Sequence, residues 1–359
     1  MRVYNFSAGP AVLPEEVLKK AASELFEYKE SGQSVMEMSH RSKDYEPIIF
    51  GVEKLFREVA GVPDNYRILF IQGGASIQFA MVPLNLRKNG KADYVLSGQF
   101  STKAYQEGGR LLKANAVASS KDKAFSYIPE LDPSKFDKDA DFFHICMNNT
   151  IYGTRFTALP ETGGVPLVAD MSSCILSEPY DVSKFGVIYA GAQKNMGPAG
   201  FAVVVIRDDL VREIPEQEKV PAMLQYKTYA DNDSMYNTPP TYGIYMLGLV
   251  LEWVRSNGGV SAMKEYNEKK AGVLYDYLDK SKLFIPIAAK KDRSLMNVTF
   301  KTTSDGLDEK FIKEAKAAGF INLKGHRSAG GMRASIYNAM PIEGIEKLTK
   351  FMAAFENNN

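Results

Sequence analysis

Apolar positions follow two patterns along the chain. Near the N-terminus they recur at helical spacing: Val17, Leu18, Ala21 and Leu25 follow Pro14, with Glu15 and Glu16 at the start, and Ile48, Val52, Leu55 and Val59 precede Gly61 and Pro63. Both stretches predict amphipathic helices, the first opened by its proline and the second stopped by its glycine. A polar loop carrying His40 and Arg41 lies between them. From 67 to 207 the pattern changes to short, continuous apolar runs at 68–71, 94–96, 142–147, 166–169, 187–190 and 201–206, separated by helical or turn segments. Continuous rather than alternating runs predict strands covered on both faces, hence an α/β domain with a mostly parallel sheet and ligands at the strand ends.

Residues 208–240 show little periodicity and contain Asn237-Thr238-Pro239-Pro240. So long an irregular stretch inside a domain is expected to serve a site or a partner. A helix at 242–255 follows, then Gly258-Gly259, then a long amphipathic helix bearing Met263, Tyr266, Val273, Leu274 and Tyr277. The remainder predicts a strand at 295–300, a helix at 307–318, strands at 320–323 and 332–337, and a last helix from Pro341. The chain thus divides into an N-terminal segment, 1–15, a large domain, 16–257, and a smaller C-terminal α+β domain, 258–359, with the glycine pair as boundary.

The 359 residues, 45% hydrophobic and 24% charged, suffice for two domains and a large core. Forty-four basic residues against 43 acidic ones leave a formal +1, so no global field calls for nucleic acid or an anionic membrane, and any cationic site must be local. The two cysteines, Cys146 and Cys174, stand in or beside strand-like runs and read as buried thiols of a reducing compartment. No apolar run approaches the roughly 18 residues of a membrane span and the N-terminus lacks a signal-peptide core, so a cytoplasmic protein is expected.

Against this background one lysine stands out. Lys194 sits in Ala192-Gln193-Lys194-Asn195-Met196-Gly197, a small-residue loop between two strand-like runs. A lysine at a strand end, with room beside it, can form a Schiff base with a carbonyl cofactor, although a turn lysine facing water fits the same letters. Gln72-Gly73-Gly74-Ala75-Ser76 joins a strand to a helical run at 77–86, so its amides can receive a phosphate; a plain turn has the same signature. The loop lacks the Gly-Lys-Ser/Thr ending of a nucleotide P-loop. Asp170 ends another strand, where a carboxylate can keep a pyridine nitrogen protonated or cap a turn.

Two of the three histidines precede an arginine, His40-Arg41 and His326-Arg327, with Arg333 close behind. Arginine forks bind carboxylate or phosphate bidentately, so these groups suit a substrate carrying both; solvated surface patches are the alternative. His144, inside an apolar run, reads as a core histidine, and no metal-ligand cluster is apparent.

Several spaced motifs, in order, resemble the pyridoxal-phosphate-dependent phosphoserine aminotransferases within the fold-type I, class V aminotransferases. They are Asn5-Phe6-Ser7-Ala8-Gly9-Pro10, Ser39-His40-Arg41-Ser42, Gly73-Gly74-Ala75-Ser76, Asn148-Asn149-Thr150, Asp170-Met171-Ser172-Ser173, Ala192-Gln193-Lys194-Asn195, Asn237-Thr238-Pro239-Pro240 and Gly325-His326-Arg327, nearly spanning the chain. The resemblance implies that Lys194 holds pyridoxal 5'-phosphate covalently, that Asp170 pairs with the pyridine nitrogen and that Thr150 bonds the ring hydroxyl. It further implies that Gly74, Ala75 and Gln193 meet the cofactor phosphate, joined by Asn237 and Thr238 from the neighbouring subunit of a homodimer. His40, Arg41 and Arg333, with His326 and Arg327 from the partner chain, are then expected to bind substrate anions. Two positions depart from the family pattern: Phe100 stands where relatives usually stack a tryptophan on the cofactor ring, and Asn149 where they commonly carry glutamate.

The activity so implied converts 3-phosphohydroxypyruvate and L-glutamate to O-phosphoserine and 2-oxoglutarate in serine biosynthesis, with phosphohydroxythreonine of pyridoxine biosynthesis as a further compatible substrate. The freed Lys194 amine is expected to carry the proton at Cα, its pKa lowered from ~10.4 by nearby arginines and the protonated ring. A cysteine desulfurase of the same fold needs a mobile reactive thiol, which neither cysteine suits. A transaminase for unphosphorylated substrates leaves the surplus arginines unexplained, and a scaffold that kept the fold without the chemistry is the reading from another class.

Overall fold

The computed structural model describes residues 2–215 and 218–359. It begins with a two-residue strand, β1 (Tyr4–Asn5), and a helix, α1 (Glu15–Ser23), that starts behind Pro14 and sets Glu15 and Glu16 at its positive end. Helix α2 (Glu46–Ala60) buries Ile48, Val52, Phe56 and Val59 and ends where Gly61 turns left-handed at φ 64°, a conformation open to glycine at no steric cost.

The large sheet is then built from β2 (Tyr66–Gln72), α3 (Gln78–Leu86), β3 (Lys91–Leu96), α4 (Gln99–Gly108), β4 (Lys113–Ser119) and β5 (Phe142–Cys146). A small hairpin, β6 (Asn148–Asn149) with β7 (Thr154–Arg155), precedes β8 (Leu167–Asp170), β9 (Val187–Gly191) and β10 (Phe201–Arg207). The strand order is β2-β10-β9-β8-β5-β3-β4, and only β10 runs against its neighbours. The reversal follows from chain length, because the loop 192–200 is shorter than the roughly dozen residues a parallel crossover needs. All the parallel strands therefore open on one edge, and the loop bearing Lys194 turns back across it.

Both faces of this sheet are covered, as the continuous apolar runs predict. Val203 and Val205 of β10 pack with Val52 and Phe56 of α2 and with Leu247, Leu251 and Val254 of α6 (Thr241–Ser256); the alternate residues Val204 and Ile206 pack with Phe79, Val82 and Leu86 of α3 on the opposite face. The six strands expected between 67 and 207 all form. β4 escapes the pattern because it is an edge strand of Lys-Ala-Asn-Ala-Val-Ala-Ser with only Val117 buried. The irregular stretch after β10 contains a short helix, α5 (Tyr226–Ala230), whose Tyr226 and Tyr229 are buried under β2.

The chain continues through α7 (Gly259–Leu278), β11 (Phe284–Pro286), β12 (Asn297–Thr302), α8 (Asp305–Ala317), β13 (Phe320–Ile321), β14 (Met332–Ser335) and α9 (Ile342–Asn357). β11-β12-β14 form an antiparallel sheet, and Phe284, Phe300, Phe311 and Phe355 fill a separate core beneath it. α7 spans both cores: Met263 belongs to that of the large sheet, and Ala271, Leu274 and Leu278 to that of the small one. The expected strand at 320–323 is only two residues long, and it pairs in parallel with β1, so the N-terminal segment crosses to the small sheet's side of the molecule. No helix among the described residues is long and apolar enough to cross a membrane.

His144 lies inside β5 as a core histidine. Its Nε2 meets the Tyr189 hydroxyl at 2.8 Å, its ring lies 5.3 Å from that of Tyr94, and burial pushes its pKa down to about 3. The unfolded chain binds a proton there near pH 6.5 while the folded chain stays neutral, so stability falls as pH drops from 6.5 towards 3. His144→Gln, which keeps a partner for Tyr189, is expected to flatten that acid loss by up to about 1.4 kcal/mol per pH unit. Urea unfolding of the two proteins at pH 6.5 and 4.5 measures it, and parallel slopes refute the assignment.

Candidate active site

Loops from four strands of the large sheet bring the candidate groups to one edge. Lys194, three residues past β9, is nine-tenths buried; its Nζ donates to Thr150 Oγ1 at 2.8 Å and lies 5.3 Å from the centre of the Phe100 ring. Thr150 follows β6, and Phe100 stands in the first turn of α4, just past β3. Asp170, buried at the end of β8, accepts the Ser172 amide on Oδ1 at 2.9 Å. Ser172 Oγ in turn accepts the Gly191 amide at 3.0 Å, which ties the Asp170 turn to the strand leading to Lys194. From behind, the Ala11 amide donates to the Gln193 carbonyl at 2.9 Å, and a Cβ on Gly9 would lie 3.4 Å from Lys194 Cγ.

Burial is the chief cause that lowers the Lys194 pKa, because an ammonium loses hydration there. Asp170 opposes that shift, and Arg333 adds to it in a smaller way. The expectation that arginines lead the lowering is therefore corrected: desolvation does. Cys146 and Cys174 are free and buried, and burial pushes both thiols up, Cys174 to about 12. Neither presents the thiolate a desulfurase needs.

A glycine turn that leads into a helix, the candidate phosphate cradle, stands beside the lysine loop. Gly73 and Gly74 adopt φ 94° and 71°, a left-handed path that a Cβ would strain, and a 3-10 turn at Ala75–Ile77 leads into α3. The first amides of such a start have no intrahelical acceptor and point at whatever lies before the helix. The Gly73 amide bonds the Gly200 carbonyl at 3.0 Å, holding this turn against the far end of the lysine loop. Gln72 donates its side-chain amide to the Thr238 carbonyl, so Asn237 and Thr238 lie next to the cradle of their own chain.

The candidate anion-binding residues divide into two groups. Arg333, on β14, donates from Nη1 to the Thr150 carbonyl at 3.3 Å, so one threonine contacts both Lys194 and Arg333. Its Nε is buried without a partner, no carboxylate among the described residues pairs with it, and burial holds its pKa below the usual guanidinium range. His326 is close enough to Arg333, Arg327 and Lys103 that their charges reinforce burial in lowering its pKa. These four basic side chains belong to one chain, and Tyr152 Oη meets Ser328 Oγ of the same loop at 3.3 Å. His40 and Arg41 stand apart in the loop before α2: Arg41 is exposed, the His40 Nε2 is buried without a partner, and neither side chain bonds to the groups around Lys194 among the described residues.

Asn149 is wholly engaged in structure. Its Nδ2 donates to Thr154 Oγ1 at 3.0 Å and its Oδ1 accepts from Ser97 Oγ at 3.3 Å, roles that a carboxylate fills only in part. Sequence reasoning gave no role to Lys103, although its place three residues after Phe100 on α4 sets both on one face; its Nζ lies 5.9 Å from the Phe100 ring. Ser172 was likewise only part of a motif, and its hydroxyl proves to join two strands.

The sequence profile of the class-V aminotransferases matches residues 3–348. The phosphoserine aminotransferase of Streptococcus uberis is 53% identical across all of both chains, and that of Bacillus cereus 52% identical across 100% of this chain and 99% of its own. Among solved structures, phosphoserine aminotransferase from Bacillus circulans subsp. alkalophilus superposes with a TM-score of 0.96 at 44% identity, covering 99% of each chain. The pyridoxal-phosphate-bound phosphoserine aminotransferase of Trichomonas vaginalis does so at 0.92 with 36% identity, over 98% of this chain and 100% of its own. The chain therefore belongs to the phosphoserine aminotransferase family of the class-V aminotransferases.

Proposed function

We propose that this enzyme is a pyridoxal-phosphate-dependent transaminase that moves the amino group between L-glutamate and a phosphorylated 2-oxo acid, forming O-phosphoserine. The observation that carries the reading is the buried Lys194 amine, held on Thr150 and facing the Phe100 ring, with Asp170 on the adjacent strand and the guanidinium of Arg333, largely buried and without an acid partner, reaching the same threonine. An acid, an amine, an aromatic face and a glycine-lined helix start suit the pyridine nitrogen, aldehyde, ring and phosphate of that cofactor. Bound there, it supplies an electron sink for the Cα carbanion.

The remaining work falls to the protein's own residues. Asp170 provides the negative charge that keeps a pyridinium protonated, and the Ser172 amide fixes its orientation. Lys194, once free, accepts the Cα proton and returns it; burial lowers its pKa toward the range where one group serves as base and then as acid. Arg333 binds the α-carboxylate common to both substrates, since a buried guanidinium without an acid partner gains most from an anion. His326 and Arg327 receive the distal phosphate or carboxylate. Because His326 feels the charge of Arg333 in its own chain, we assign the partner's share of that subsite to His40 and Arg41 instead of His326 and Arg327, the reverse of what the resemblance implies, and Asn237 and Thr238 extend to the partner's cofactor phosphate in a homodimer; the long segment they occupy and the exposed Phe26 and Met36 support such an interface.

Lys194→Ala is expected to lose the visible band of the lysine-bound cofactor and to slow multiple turnover by about 10²–10⁴-fold in a glutamate-coupled assay. Cycling near the parent rate, or a parent protein that stays colourless when given the cofactor, overturns the reading. Arg333→Gln is expected to raise KM for glutamate and for the phosphorylated substrate alike, by roughly 10–100-fold as for a lost charged hydrogen bond, with the cofactor spectrum unchanged. Phe100→Ala should weaken cofactor retention by about 1 kcal/mol, roughly fivefold in equilibrium dialysis; an unchanged affinity excludes stacking on this ring.

A further inference from the structure

Three buried asparagines from three separate elements converge on the turn that follows Asp170. Asn195, the residue after Lys194, donates Nδ2 to the Ile175 carbonyl at 2.9 Å. Asn338, just past β14, donates Nδ2 to the Leu176 carbonyl at 2.8 Å, and Asn267, inside α7, donates Nδ2 to the Ser177 carbonyl at 3.0 Å. Three consecutive carbonyls are thus taken by three asparagines in order. The asparagines are also joined to one another: Asn267 Nδ2 donates to Asn338 Oδ1 at 2.8 Å, and the Asn338 backbone amide donates to Asn195 Oδ1 at 3.1 Å.

Two features mark this ladder as a fixed joint. Leu176, at its middle rung, adopts φ 61°, a left-handed conformation that a branched side chain disfavours and that persists only where surrounding bonds over-determine it. One turn along α7 from Asn267, the fully buried Lys270 has no acidic partner among the described residues; its Nζ donates to the Tyr337 carbonyl at 2.7 Å, the Met340 carbonyl at 3.2 Å and, at 3.5 Å, the carbonyl of Asn338 itself. The Asn267 Oδ1 is left without a partner, so the ladder is kept although one buried oxygen goes unsatisfied.

What the joint connects is the site. Its first rung adjoins Lys194, the turn it grips begins at Asp170, and its second rung lies five residues past Arg333. We propose that Asn338 is a positioning residue for transamination: through Asn195 and the Leu176 carbonyl it sets Lys194 and Asp170 in register with each other and with the strand that carries Arg333. The proposal rests on the reading of Lys194 and Asp170 as cofactor groups. Its physical basis is that catalytic groups must be held to within a fraction of an ångström, and a misplacement of about 1 Å can cost on the order of 100-fold in rate.

The test uses the cofactor-loaded enzyme and three variants, Asn338→Ala, Asn195→Ser and Tyr266→Phe, the last removing the hydroxyl that bonds the Met340 carbonyl and the Ile342 amide and so loosening the same segment without a bond to any of the three asparagines. In Asn338→Ala the visible band of the lysine-bound cofactor should titrate with a midpoint moved by at least about half a pH unit, because the lysine–carboxylate geometry has changed. Its kcat should fall roughly 10–100-fold while KM for phosphoserine moves by less than about threefold. Asn195→Ser should shift the titration in the same direction, and it decides the matter if Asn338→Ala fails to fold. Tyr266→Phe is expected to melt earlier with its titration midpoint in place. If the asparagine variants only melt earlier, with midpoint and kcat within about twofold of the parent, the joint is structural and the proposal fails. A parent protein without the visible band would instead sink the functional reading beneath it.

Discussion

The arrangement depends on keeping one lysine amine out of water. An ammonium loses its hydration on burial, and the loss is tolerated only where acceptors and a counter-charge replace it or where the group gives up its proton. Lys194 has a hydroxyl at hydrogen-bond distance, an aromatic face and a carboxylate on the neighbouring strand, enough to hold the amine and too little to keep its pKa at the value of a solvated lysine. Every other element of the site serves that compromise or borders it.

Such a shell requires parallel strands that end together. β3, β5, β8 and β9 deliver Phe100, Thr150, Asp170 and Lys194 to one edge of the sheet, and the single antiparallel strand, β10, lets the lysine loop fold back against the glycine turn after β2. Small residues make the close approach possible. Gly73 and Gly74 take a left-handed path beside the helix start, and a Cβ on Gly98 would fall 2.6 Å from Asn149 Oδ1. The buried thiols and the neutral His144 beneath the site add no competing charge.

A guanidinium without an acid partner stands beside the buried amine. Arg333 is largely buried without an acid partner, whereas most other arginines among the described residues are paired with a carboxylate. Thr150 joins this arginine to Lys194, and the asparagine ladder extends the connection across the boundary between the two cores.

Much of this was legible in the letters. The apolar runs located six strands, and their continuity implied a sheet covered on both faces; small residues around Lys194 and Gly74 and a carboxylate at a strand end named the candidate groups, because local spacing and residue type are enough to mark a strand end or a glycine turn. β4 stayed hidden because an exposed edge strand needs no apolar run, and the pairing of β1 with β13 because two-residue strands are held by distant partners. Only the tertiary structure decided that Lys103 and His326 share one cationic cluster, that burial leads the shift on Lys194, and that Asn195, Asn267 and Asn338 meet on one turn. Those facts come from groups far apart in the chain, 162 residues for Asn338 and the Leu176 carbonyl and more for Lys103 and His326. Burial and long-range hydrogen bonds arise when elements pack, and no local pattern of residues records them.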